Sequence, residues 1–235
     1  MIENTEHYLF LGITPIASVD INDFFAGEYN NTFYKILQNP PIIRRMGWSL
    51  ETLDVPKIVE GKCYEVVNGD RKIIRLFRDG SLVTKVSMGS DFLGWGQNAE
   101  AFHDNPKLNT TAFVEFILSY FIFYARFLEE SDLSLEYEFA FTAKLNGLNV
   151  GEQRIKLSPN PAHGSFNWET DFVPAPSIED QVEFEYTFKG SDLRDDPHRV
   201  AYKVVSEIFL WFGFSKKPPY SVDGKLSSDA FRNIV

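Results

Sequence analysis

The chain has 235 residues, 44% hydrophobic and 15% aromatic, with 33 acidic against 23 basic side chains. At roughly 150 residues per domain this is one large domain or two small halves, too hydrophobic for a disordered chain. It can bury about 70% of its unfolded surface without help from disulfides or metal. A net charge of −10 argues against broad non-specific binding to nucleic acid or anionic membrane, and Cys63 alone can build neither a disulfide framework nor a thiolate zinc site.

Residues 1–7 carry Glu3 and Glu6 and no Lys or Arg, and the apolar stretch 8–13 runs into Thr14-Pro15. No secretory leader is expected, so the localisation expected is cytoplasmic. Asn30-Asn31-Thr32 and Asn109-Thr110-Thr111 then read as chance sequons. Residues 20–39 are weakly helical: Asp20 or Asp23 can cap, but Gly27, Asn30 and Asn31 interrupt, so two short helices are as compatible as one. Pro40-Pro41 ends the segment.

Residues 62–88 read as a three-stranded meander turned by Asn68-Gly69 and Asp79-Gly80. A two-residue turn at Asp79-Gly80 would set Phe77 opposite Leu82 and Ile73 opposite Val86. Both faces are partly apolar, which predicts a sheet covered on both sides. Residues 112–128 form the most hydrophobic segment. Its uncharged stretch, 116–125, falls short of the roughly 20 residues needed to cross a membrane, so a helix buried among other elements is expected. Leu133 to Leu145 alternates with strict period two, a long half-buried strand. Asn146-Gly147 would turn it back on residues 148–157, with a bulge at Gly151. Val182, Phe184, Tyr186 and Phe188 give another strand. Asp196-Pro197 starts a final helix that Gly213 closes, with Ala201, Val204, Val205, Ile208 and Phe212 as its buried stripe.

Candidate sites are sparse. The chain lacks a phosphate-cradling Gly-x-x-x-x-Gly-Lys loop, a Gly-x-Ser-x-Gly elbow and a His-Glu-x-x-His pair. Gly94-x-Gly96-x-x-Ala99 mimics a dinucleotide loop but sits among antiparallel meanders, not in a βαβ unit. His198 beside Asp195, and the sheet carboxylates Glu136, Glu138, Glu183 and Glu185, are the only groupings with acid–base potential. Helix capping and cross-strand pairing with Lys144 and Lys189 are the ordinary explanations. Residues 42–86 hold nine Lys and Arg against six acids. There Arg44 and Arg45 beside Trp48, with Trp95 further on, could meet phosphates and stack a flat ring. The proline-rich stretch 158–180 holds His163 and Trp168; a loop this long either covers the sheet or gates a ligand.

Five segments carry a family resemblance: Tyr8-Leu9-Phe10-Leu11-Gly12-Ile13-Thr14-Pro15, Arg45-Met46-Gly47-Trp48, Phe77-Arg78-Asp79-Gly80-Ser81, Asp91-Phe92-Leu93-Gly94-Trp95 and the closing helix 201–214. Together they resemble the variable C-terminal region of bacterial regulators whose N-terminal part is an AlbA-like, Schlafen-related DNA-binding domain. The resemblance covers about half the chain. It implies an intracellular sensing or interaction module and brings no catalytic residues with it.

The expected fold is α+β: two antiparallel meander sheets with a central aromatic-rich helix and a C-terminal helix packed on them. Residues 1–96 and 97–235 form two halves or one continuous domain. The expected function is a non-catalytic ligand-sensing or protein-interaction module, with Arg44, Arg45, Trp48, Trp95, His163 and Trp168 as candidate ligand-binding residues. No cofactor or metal is expected. The partner would be a protein or small molecule, or a second copy in a homodimer, with nucleic acid disfavoured and no membrane. Two alternatives remain: a hydrolase or nucleotide-processing enzyme using His198 with Asp195 or the sheet carboxylates, and a nucleic-acid surface on residues 42–86.

Overall fold

The computed structural model describes residues 6–27, 30–45, 47–131, 133–157, 173–174, 179–214 and 217–232. The first half runs β1 (Tyr8–Pro15), α1 (Thr32–Gln38), β2 (Lys57–Val59), β3 (Cys63–Asn68), β4 (Lys72–Phe77), β5 (Leu82–Ser87) and α2 (Ala99–Asp104). Then come β6 (Lys107–Leu108), α3 (Thr110–Glu130), β7 (Glu138–Asn146), β8 (Asn149–Val150), β9 (Gln153–Arg154), β10 (Lys156–Leu157) and β11 (Val173–Pro174). The chain closes with β12 (Gln181–Lys189), α4 (Gly190–Asp195), α5 (Pro197–Trp211), β13 (Ser221–Val222), β14 (Lys225–Leu226) and α6 (Ser228–Arg232).

The α+β class holds, but the two meanders are one sheet. Seven antiparallel strands lie in the order β12-β7-β1-β5-β4-β3-β2. β1 joins them, pairing Leu11 with Thr84 of β5 on one edge and with Ala143 of β7 on the other. With β7 flanked by β1 and β12, no edge is left for residues 148–157. That segment folds instead into the small β8–β9 hairpin, where Gly151 lies in the turn and not at a bulge, and into β10, which pairs with β6 and β11.

The Asp79-Gly80 hairpin is also corrected. Phe77 N–H donates to Ser81 C=O at 2.8 Å, which makes a three-residue loop with Gly80 at φ +82°. A left-handed glycine at that position is the usual way to close such a loop. A β-carbon at Gly80 would also stand 2.8 Å from Leu133 Cδ1. The register therefore moves by one, so Leu76 faces Leu82 and Lys72 faces Val86. Because side chains alternate, that shift decides which residues face the core.

Leu9, Leu11, Ile13, Leu76, Leu82, Val86, Phe141 and Leu145 make up much of the inner face, each at most 1% exposed. Helix α3 lies on it. Asn109 caps the helix by accepting from Ala112 N–H, and Tyr120 and Tyr124 donate hydroxyls to Leu82 C=O and Gly80 C=O at 2.8 and 2.9 Å. Phe121 packs on Phe141 and Phe188, while α1 closes one flank with Phe33 on Phe127 and Tyr34 on Tyr64. α4 and α5 pack against α3 as well. Helix α3 has the length and hydropathy of a membrane span, yet 89% of that window is buried inside the fold.

On the outer face, described side chains of the sheet pack on one another. The Phe10 ring lies against Gly12, and Lys85 Nζ stands 4.1 Å from the Tyr8 ring centre.

Two hydroxyls in this core, Thr84 Oγ1 and Ser119 Oγ, have no hydrogen-bond partner among the described residues, although both side chains are fully buried. Replacing Thr84 by Val keeps the shape and removes the unpaired group, so stability should rise by about 1 kcal/mol. Urea unfolding would measure this; a loss of stability would mean that the hydroxyl holds a buried water.

Candidate functional site

Three segments converge at the N-terminal end of α3. The first is the turn at residues 44–48. Arg44 lays its guanidinium along Glu115, with Nε 3.1 and 3.0 Å from the two carboxylate oxygens and Nη2 2.9 Å from Oε2. The backbone N–H of Trp48 faces the same carboxylate and favours its charged form, and Glu115 is completely buried. Burial pushes its carboxyl above the usual range, and the Arg44 hydrogen bonds only partly reverse that. Gly47 is needed for the approach, because a β-carbon there would lie 1.9 Å from Glu115 Oε1. The Arg44 guanidinium also sits 5.3 Å from the Trp48 ring centre, within cation–π range.

The second segment is the turn at residues 89–95. Trp48 Nε1–H donates to Phe92 C=O at 3.2 Å, and the Trp48 ring meets Trp95 edge-on with centroids 5.3 Å apart. Asn109, the α3 cap, holds the turn from below: its N–H donates to Leu93 C=O and its side-chain amide to Trp95 C=O. Trp95 itself is 48% exposed. The formal dinucleotide motif lies in this turn, but the space beside Gly94 is filled by Gly89 C=O and the Phe102 ring, not open to a phosphate.

The third segment is Tyr220. Its hydroxyl hydrogen-bonds Thr111 Oγ1 at 2.7 Å, and its ring stacks on Phe231 at 4.2 Å. Burial raises its phenol, and Arg44 and Glu115 act on it with opposite signs. Tyr220 holds φ +61°, a strained backbone for a bulky residue, and such strain persists where surrounding contacts enforce it.

Arg44, Trp48 and Trp95 thus come together as the sequence pointed to, and Arg45 stands exposed beside them. His163 and Trp168, with most of the 158–180 stretch, lie outside the described residues. Glu115, Phe92, Thr111 and Tyr220 were not among the candidates. Glu115 lies just before the uncharged stretch 116–125, and Tyr220 follows the final helix where no motif marks it.

The other groupings disperse. Asp195 is exposed and takes Arg194 Nε at 2.7 Å. His198 Nδ1 is engaged with Leu226 C=O at 2.7 Å, on an open cleft of about 400 Å³ that Asp196 and Lys225 also line. Glu183 pairs in register with Lys144, and Glu138 with Lys189, on the solvated face of the sheet. Of the basic residues in 42–86, Arg44 serves Glu115, Arg75 serves Glu65, Arg78 serves Asp20 and Lys62 serves Glu60. Among the described residues no three His, Cys, Asp or Glu are placed to hold a metal ion.

Among the described residues the cluster offers an aromatic surface suited to contact, with Arg44 neutralised by Glu115 beneath it and Arg45 exposed beside it. No family model, curated protein or solved structure matches the chain.

Proposed function

We propose that this chain is a non-catalytic binding module, of the ligand-sensing or protein-docking kind, and that Trp95 and Trp48 form its contact surface. The observation carrying this reading is the buttressing of a half-exposed tryptophan: Trp95 leans on Trp48, which is fixed by Phe92 C=O, Glu115 and Arg44 together. Anchored aromatics with little freedom left to lose are the residues that dominate binding energies. The setting is the cytoplasm, inside a bacterial regulator. It is supported by the fact that two of the segments carrying the AlbA-like resemblance, 45–48 and 91–95, are the ones that meet in this surface. Nucleic acid is less favoured as the partner because four of the nine basic residues in 42–86, Arg44 of this surface among them, are paired with acids.

The test is calorimetric titration with nucleotide, aromatic-metabolite and peptide pools, comparing wild type with Trp95→Ala. The ligand found should bind roughly 30-fold more weakly to the variant, the loss typical of a tryptophan hot spot. Stability should change by no more than about 1 kcal/mol, as expected at an exposed position. Binding that ignores Trp95, or no binding from any pool, would remove the assignment.

A further inference from the structure

Lys72 is 4% exposed and points from β4 toward α3. Its Nζ donates to Ser49 C=O at 2.7 Å and to Glu51 C=O, and lies 5.5 Å from the centre of the Phe92 ring. The first two contacts hold the chain immediately after Trp48. The third holds the residue whose carbonyl receives Trp48 Nε1 and whose ring packs edge-on against Phe116 of α3. A single ammonium therefore touches the Phe92 turn and the chain that leaves Trp48.

We propose that Lys72 is the positioning residue of this surface, closing the 49–51 turn onto the Phe92 turn. The consequence for recognition rests on the binding role proposed for Trp48 and Trp95; the clamp itself does not. A lysine in this environment has donors well matched to carbonyls but an expensive charge, because the carbonyls and the ring replace only part of the water lost.

The charged groups felt at Lys72 are Glu51, which favours the cation, and Arg71, which opposes it; burial outweighs both and brings the amine down to about 8. In the opened turn the amine returns to water and its ordinary range. Between the two values the open form binds more protons than the closed form, so rising pH favours closure and falling pH favours opening.

Hydrogen exchange of the amides in 47–52 and 89–95, corrected for intrinsic rates, reads this without any ligand. From about pH 7 to about pH 8.5 the protection of both turns should rise roughly four-fold in the wild type. Lys72→Met should lower protection in both turns together at neutral pH and abolish the rise, and Lys72→Arg, whose charge does not titrate in this range, should abolish the rise as well. A flat wild-type profile, the same rise in Lys72→Arg, or loss confined to one turn would overturn the proposal. If Lys72→Met does not fold, the wild-type and Lys72→Arg profiles still decide. Failure of the ligand titration with intact exchange behaviour would fault the binding role and leave the clamp standing.

Discussion

Replacing Arg44 with alanine should cost about 3–5 kcal/mol at neutral pH, the range for breaking a buried pair by removing one partner. Glu115 has no exposed surface, so the carboxylate would keep only the Trp48 N–H of the donors now facing it. Its pH dependence is a sharper signature. Burial already holds the Glu115 carboxyl above its ordinary value even with Arg44 present. The folded protein therefore retains that proton to higher pH than the unfolded chain, and this group's contribution to stability falls as pH rises through that window. Without Arg44 the carboxyl shifts further upward, so the penalty should be small near pH 4, where the group is neutral, and full near pH 7. Urea unfolding at both values would measure it. An Arg44→Met, Glu115→Leu double variant should recover much of the loss, because neither charge is then left alone. A cost below about 1 kcal/mol at neutral pH, the ordinary worth of a surface ion pair, would show that solvent reaches this pair freely.

Phe121→Ala should be comparably damaging, about 3–5 kcal/mol for a large aromatic removed from a packed core. The ring is 1% exposed and contacts Phe141 of β7, Phe188 of β12 and Tyr120. The gap would lie where α3 crosses two strands, and neither sheet nor helix can collapse to fill it without disturbing the others. For a chain of this size each kcal/mol moves the midpoint by roughly 2–4 °C, so a thermal scan would register about 10 °C. A shift of only a degree or two would mean that α3 faces something other than this sheet.

Elements whose information is local were legible in the sequence. Helix α3 followed from its apolar run; α5 followed from Asp196, Pro197 and the stripe through Ile208; β12 followed from its alternation. Pairing that depends on distant partners was not. β1 reads as a short apolar stretch, and nothing near it announces that both its edges will be used. The Asp79-Gly80 pair looks the same in a two-residue and a three-residue loop, and a one-residue difference there exchanges the faces of β4.

The same limit applied to the candidate site. Trp48 and Trp95 stood out by residue type, but Arg44 and its carboxylate partner are 71 residues apart, and the Thr111–Tyr220 contact spans 109. Lys72 is one of the nine Lys and Arg in residues 42–86, and residue type alone would place it on the surface. Only its phase, shared with Ile74 and Leu76 on the corrected register, places it inside.

The position of β1 also orders events in time. It precedes every other described strand in the chain, yet it lies in the interior of the sheet, between β5 and β7. β7 follows more than a hundred residues later, so one edge of β1 must wait, exposed, until the intervening chain has been made. Such distant closure makes folding slow and leaves an unfinished edge open to wrong partners. Overexpression at low temperature, or with a chaperone that holds nascent strands, should therefore raise the soluble yield of this protein more than that of a helical one of equal length.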